Sequence, residues 1–306
     1  MPAERNYITV VGSSNTDLVL ECERLPAPGE TVMGNELRQY NGGKGANQAV
    51  AAARAISDPA IKVAFVGAYG NDDFGRNARC NLRNEGIDVR HFRCVPSTTS
   101  GVALILIGGK KRENMIAVSQ SANNTVSERN IQSAKVLFKK SKVILCQLEI
   151  PIEAVMETAR LAAHCGAQFI LNPAPARPLP RELYPLIDVL TPNKTEALLL
   201  AGASNVRQAA RRLLSWGCRG VAITLSEKGV LLYDREGFRH IAAPRVKPKD
   251  TVGAGDCFNG WLAAGLAEGN SFDEAAARAV RAAALSVTRG GAQTGLPTHD
   301  EVKVLS

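Results

Sequence analysis

Aromatic residues make up only 5% of this 306-residue chain, and it has four histidines and no long apolar run. Each shortage removes a class of function. The basic residues fall in small groups, Lys110-Lys111-Arg112, Lys139-Lys140 and Arg211-Arg212, none interleaved with aromatics. A nucleic-acid surface would combine charge with stacking rings, so no nucleic-acid partner is expected. The net charge of +8 instead suits anionic, phosphorylated ligands. The histidines are isolated, and the seven cysteines are odd in number with no C-x-x-C pair. That pattern excludes a zinc site or a disulfide framework and points to reduced thiols in the cytoplasm. No run of about 18 apolar residues occurs, so no membrane helix is expected. The N-terminus leads straight into Ile8-Thr-Val-Val11, and no leader peptide is read there.

Two common nucleotide motifs are also missing. A Walker A loop needs glycine five residues before the glycine of a Gly-Lys pair. The pairs at 43–44 and 109–110 have Arg38 and Leu104 there. The dinucleotide fingerprint fails because Phe258 stands where its third glycine belongs.

What is present is alternation. Apolar strands are read at 7–12, 62–67, 143–148, 168–171, 188–191 and 221–225, with a strand pair at 230–234 and 238–242. Helices are predicted at 48–56, from Asn71 or Asp72 to Gly86, at 127–140, 151–164, after 192–196, at 206–216, and from the Ser271-Phe-Asp-Glu274 capping box to 288. This is an α/β domain, with a mostly parallel central sheet covered by helices on both faces. Segments 18–40, 89–95, 99–107 and 114–120 are strand-like with little helix between them. They are read together as a small β-sheet set apart from the core, over about 15–40 and 89–120.

In such sheets ligands bind where the strands end at their C-termini. Asn15 with Asp17, Glu149, Asn172, Asn193 with Glu196, and Thr224 to Gly229 all fall at such ends. The strongest local signal is Asp250-Thr-Val-Gly-Ala-Gly-Asp256-Cys-Phe-Asn-Gly260. Gly253 and Gly255 open a run in which Phe258, Trp261, Leu262, Gly265 and Leu266 share one helix face. Free N–H groups and the helix dipole at such a turn attract a phosphate. Asp256 in that turn is either a favourable first-turn acid or a base that must reach the phosphate's acceptor.

Three motifs carry a family resemblance. Gly42-Gly-Lys-Gly-Ala-Asn47 resembles the N-terminal sugar-site signature of the PfkB carbohydrate kinase family, and Asp250 to Asp256 resembles its C-terminal signature. Asn193-Lys-Thr-Glu196 is similar to the family's N-x-x-E magnesium motif. The resemblance extends over nearly the whole chain. It implies ATP-dependent phosphorylation of D-ribose at O5, with deoxyribose, another sugar or a nucleoside as the alternative acceptor, and a non-catalytic sugar-binding protein as the remote one. Asp256 would be the base, with the backbone of Gly253, Ala254, Gly255 and Asp256 as the anion hole. Asn15, Asp17, Gly43, Lys44, Asn47 and Glu149 would hold the sugar. Asn193, Thr224, Leu225, Ser226, Glu227, Lys228, Gly229 and Gly255 would hold ATP. Asn193 and Glu196 would keep Mg2+, mainly through water. Asp250, Val252, Ser286, Arg289, Gly291 and Gly295 would bind K+. The small sheet would be a lid over the sugar and the surface of a homodimer. Thr16, Cys257 and the charged Ser226-Glu-Lys228 depart from the family's common residues.

Overall fold

Alternating side chains along the inner strands divide the interior in two. A computed structural model describes residues 5–109 and 113–304, so the basic group at 110–112 lies outside the described residues. In the first strand, β1 (Tyr7–Val11), Ile8 and Val10 face one core while Val11 faces the other. Val143 and Leu145 against Ile144 and Cys146 repeat the pattern further along. A two-residue period with both faces apolar belongs to a strand covered on both sides.

The chain continues through β2 (Asn15–Glu21), β3 (Arg38–Gly42), α1 (Lys44–Ala55), β4 (Lys62–Gly70), α2 (Asp73–Asn84), β5 (Asp88–Val95), β6 (Gly101–Gly108) and β7 (Glu113–Ser119). Then come α3 (Glu128–Ser133), α4 (Lys135–Lys139), β8 (Ser141–Cys146), α5 (Ile152–Cys165), β9 (Gln168–Leu171), β10 (Val189–Leu190), α6 (Lys194–Ala201) and α7 (Val206–Ser215). The last elements are β11 (Gly220–Thr224), β12 (Val230–Asp234), β13 (Gly237–Ile241), α8 (Ala254–Ala267), α9 (Phe272–Ser286) and α10 (His299–Lys303). The large sheet has nine strands in the order β13-β12-β11-β10-β9-β8-β1-β4-β5, and only the β11-β12-β13 end is antiparallel. One core packs it against α1, α2, α8, α9 and α10, and the other against α3 to α7. The small sheet runs β3-β2-β6-β7, antiparallel except for the β2-β6 pair.

Two expectations are corrected. Residues 89–95 do not join the small sheet: β5 lies parallel to β4 at the edge of the large one. The intervening α2 is a crossover of the kind that brings successive strands parallel. Phe92 then stacks edge-on against Phe65, with ring centroids 5.0 Å apart. The helix expected over 127–140 is divided at Ala134, whose N–H turns back to Ile131 O.

The contact that matters most for the site is α1 against α8. Both helices are rich in Ala and Gly, so their backbones come close. A Cβ built on Gly260 would lie 2.5 Å from Ala51 Cβ and 2.6 Å from Gln48 O. Gly260→Ala should therefore destabilise the fold by about 1–3 kcal/mol, the usual cost of overpacking. It should also lower activity, because it pushes the N-terminal turn of α8 away from α1. Chemical denaturation of a Gly260→Ala protein with unchanged stability would contradict this packing.

Candidate active site

The glycine turn before α1 is shaped by what lies behind it. Gly43 caps the helix at φ +87°, and a Cβ there would sit 2.6 Å from Asn15 N. A side chain at this position would suffer both the strained backbone and the clash. Opposite it, Asn15 pairs with Gly42 across β2 and β3, and the Asp17 carboxylate lies over Gly42. Glu149, beyond the end of β8, accepts from Ser13 Oγ at 2.6 Å and from the Lys44 N–H at 3.0 Å. Asn15, Asp17, Gly43, Lys44 and Glu149 thus converge where β1, β2 and β8 meet the turn.

Asn47 and Gln48, in the first turns of α1, reach across to Asp256 in the first turn of α8. Asn47 Nδ2 donates to Asp256 Oδ2 at 3.0 Å, and Gln48 Nε2 donates to Oδ1 at 2.9 Å. Asp256 is 8% exposed. Gly253 caps α8 in the left-handed region at φ +79° and packs on Ala292, where a Cβ would come within 3.0 Å. At Gly255, by contrast, a Cβ would have nothing within 4 Å. A ligand can therefore approach the α8 backbone at that point.

The open space belongs to a cavity of about 210 Å³ lined by Lys44, Asn193, Glu196, Thr224, Gly255 and Asp256, among others. A larger groove of about 390 Å³ between α2 and β5 collects Lys62, Arg79, Arg83 and Arg90, but its one acid, Asp88, is paired with Arg90. Chemistry therefore selects the smaller cavity. Asn193 and Glu196 form a reciprocal capping box on α6, with Asn193 Oδ1 accepting at 2.9 Å and Glu196 Oε2 at 2.8 Å. Local capping accounts for part of this motif, while Glu196 also lines the cavity. Thr224 bridges to Asn193 at the end of β11. Leu225, Ser226, Glu227, Lys228 and Gly229 form the tight turn after it, closed by the Leu225 N–H on Gly229 O.

Charge is concentrated here. Burial pushes Asp17 up to about 6, and repulsion from Glu149 and Asp256 adds to the shift against the pull of Lys44. Burial also raises Glu196, with Asp256 acting in the same direction. Burial alone would lower Lys44, but Asp256, Glu149, Glu196 and Asp17 outweigh it and hold its ammonium above the ordinary lysine value.

The third group of expected residues also comes together. Asp250 Oδ1 accepts from the Val252 N–H and Oδ2 from the Gly291 N–H, tying the turn before α8 to the loop after α9. A Cβ on Gly295 would lie 2.7 Å from Gly291 O and 3.3 Å from Ser286 O, so two carbonyls border one small space. Arg289 directs its guanidinium outward to Glu301 at 2.7 Å. Among the described residues there is no cluster of three His, Cys, Asp or Glu able to hold a metal.

Sequence reasoning did not single out several residues the site depends on. Asn123, on a short turn between the two sheets, donates to Asn15 Oδ1 at 2.8 Å. Gln147 and Gln293 bond to Gln48 and Asn47. None of these three stands in a motif, and only the fold brings them in.

The arrangement places a polyol-sized set of acceptors and donors on one side of a buried carboxylate and a phosphate-sized opening on the other. Comparison with known proteins gives the family. A pfkB family carbohydrate kinase model matches residues 5–299. The chain is 40% identical to a ribokinase of Haemophilus influenzae over 302 residues, covering 97% of each. It is 36% identical to a deoxyribokinase of Salmonella typhi over 300 residues, covering 96% of each. The structure of Arabidopsis thaliana ribokinase complexed with ribose and ATP superposes with a TM-score of 0.89 at 29% identity, over 99% of this chain and 98% of that one. Family model and relatives both span nearly the whole chain, and the chain belongs to the pfkB family of carbohydrate kinases.

Proposed function

We propose that this kinase transfers the γ-phosphoryl group of ATP to O5 of D-ribose, with Asp256 as the general base. The observation that carries the proposal is the buried Asp256 carboxylate, held by two amide donors beside the open backbone of Gly255. The names of the relatives support ribose as the acceptor.

In the reaction, O5 attacks the γ-phosphorus and its proton passes to Asp256, while the bond to the bridging oxygen breaks and ADP leaves with that electron pair. Asn15, Asp17, Gly43, Asn47 and Glu149 orient the sugar, since amides and carboxylates together match a polyol's donors and acceptors. The Lys44 ammonium lines the cavity with Glu196 and Thr224, and we assign it to the phosphates rather than to the sugar. N–H groups of Gly253 to Asp256 neutralise charge on the transferring group. A largely dissociative transfer makes little demand on the strength of the base, because the proton leaves late. The turn at 224–229 with Asn193 receives the nucleotide. Glu196, with Asn193, fits a magnesium ion held mainly through water, which when bound would offset phosphate charge. The carbonyls of Ser286 and Gly291 beside Gly295 fit a monovalent cation, with Asp250, Val252 and Arg289 as its neighbours.

The small sheet is assigned as the lid, and its exposed face as a homodimer surface. On β6 and β7, Leu104 and Met115 on one face and Ile116 and Val118 on the other are each more than half exposed, apolar side chains suited to contact with a second copy. Sedimentation showing only monomers would remove that assignment. No helix among the described residues is long and apolar enough to cross a membrane, and all seven cysteines are free thiols, which supports a reducing, cytoplasmic setting.

The central test is an ADP-release assay across ribose, deoxyribose, other sugars and nucleosides. Ribose should give the highest kcat/KM, and a better acceptor would replace it in the assignment. Asp256→Asn should fold and bind both substrates yet lose about 10²–10⁴ in kcat. Retention of more than about a tenth of wild-type turnover would return Asp256 to a capping role. In the same assay, replacing potassium by a bulky organic cation at constant ionic strength should lower the rate, and equal rates would refute the cation site.

Asp17 gives a pH signature. Its pKa of about 6 in the folded protein lies above the ordinary 3.8, so its proton is bound more tightly in the folded than the unfolded state. The unliganded protein therefore loses stability as pH rises from about 4 through 6. Ribose, which needs the ionised acceptor, should bind more weakly as pH falls below that pKa. Asp17→Ala should cost roughly 10- to 150-fold in ribose affinity, leave ATP affinity unchanged, and abolish the pH step. Calorimetry showing the step intact in Asp17→Ala would rule out this origin.

A further inference from the structure

An ionised carboxylate only accepts hydrogen bonds, so the two amides facing Asp256 must present nitrogen to it. That requirement propagates outward. With Nδ2 committed to Asp256, Asn47 turns Oδ1 away from it, toward Gln293, whose Nε2 donates at 3.0 Å. Gln293 must then turn its own oxygen outward, and Oε1 accepts from Asn81 Nδ2 at 2.8 Å. Gln48 is fixed in the same manner from the other side, its Oε1 accepting from Gln147 Nε2 at 2.6 Å. Gln293 is 7% exposed, so water does not readily replace it.

The backbone around Gln293 is held as firmly as its side chain. Arg54 Nη1 donates to Gln293 O at 2.9 Å and to Leu296 O at 2.8 Å. Two residues earlier the Gly291 N–H meets Asp250, and Ala292 packs on Gly253, the cap of α8. One short segment, 291–293, therefore touches both the turn that presents the anion hole and the amide that holds the base.

We infer that Gln293 is a positioning residue for the phosphoryl transfer: by anchoring the oxygen of the Asn47 amide, it holds that amide, and with it the Asp256 carboxylate, in place against the α8 turn. The inference rests on Asp256 being the base. Without the Gln293 donor, the Asn47 oxygen loses its anchor and the amide is free to swing away from Asp256. The carboxylate then loses one of its two donors and its alignment with O5. Gln293 is not among the residues lining the cavity, so the loss falls on turnover.

Two substitutions probe this. Gln293→Met keeps the volume and removes both polar atoms. Gln293→Glu keeps the shape and replaces the donor by an acceptor. Each should lower kcat about 10- to 100-fold, the scale of a small misplacement of a reacting group. KM for ATP should stay within about threefold, because uniform substrate binding is untouched. The discriminating measurement is a double-mutant cycle with Asn47→Ala. If Gln293 acts through Asn47, Gln293→Met should change kcat by less than about twofold in that background. Wild-type kcat in either folded single variant, or an undiminished loss in the Asn47→Ala background, would overturn the inference. If one substitution prevents folding, the other carries the same test. Asp256→Asn is assayed alongside. An inactive Asp256→Asn with an unaffected Gln293→Met refutes only the role of Gln293, whereas an active Asp256→Asn refutes the base and the inference with it.

Discussion

The hydrogen bonds from Asn47 and Gln48 to Asp256 join groups 209 and 208 residues apart in sequence, and the proposed catalytic geometry depends on that junction. It exists because α1 and α8 pack almost backbone to backbone at Gly260 and Ala51. Small residues there are a constraint on distance. A wider interface would leave the amides short of the carboxylate, and a buried carboxylate without donors is costly. The same contact puts the glycine turn of α1 beside the glycine turn of α8, so in the proposed mechanism one helix pair sets both the acceptor site and the anion hole.

The electrostatics of the unliganded site are strained. Asp17, Glu149, Glu196 and Asp256 all act on Lys44, and one ammonium cannot balance four carboxylates. Burial and mutual repulsion respond by raising Asp17 to about 6 and by raising Glu196. A polyanionic nucleotide entering such a site needs further positive potential, which the α8 N-terminus supplies and bound cations would extend. In the proposed reading, sugar hydroxyls would relieve the other side by donating to carboxylates that otherwise face one another.

Much of this was legible in the sequence because it is carried by local signals. Short continuous apolar runs marked the inner strands of the large sheet, and the turns at Gly42–Asn47 and Gly253–Asp256 stood out by glycine spacing. The misplacement of 89–95 has a physical cause. A strand reads the same in either sheet, and its partner is decided by the crossover through α2 and by Phe92 meeting Phe65. Asn123, Gln147 and Gln293 left no sequence signal at all. Their roles come from amide orientation propagated outward from a single charge, a property of the assembled interior and not of any segment. Asn193 and Glu196 show the converse, since their spacing satisfies a helix cap and a cavity wall at once.

The account stands on where O5 of the sugar meets the protein. A crystal structure with ribose and a non-hydrolysable ATP analogue measures that contact directly. The account predicts O5 within about 2.6–3.2 Å of an Asp256 carboxylate oxygen, with the terminal phosphate on the N–H groups of the α8 turn. A primary hydroxyl bound instead against Glu149 or Asp17, with Asp256 out of hydrogen-bond reach, would contradict it.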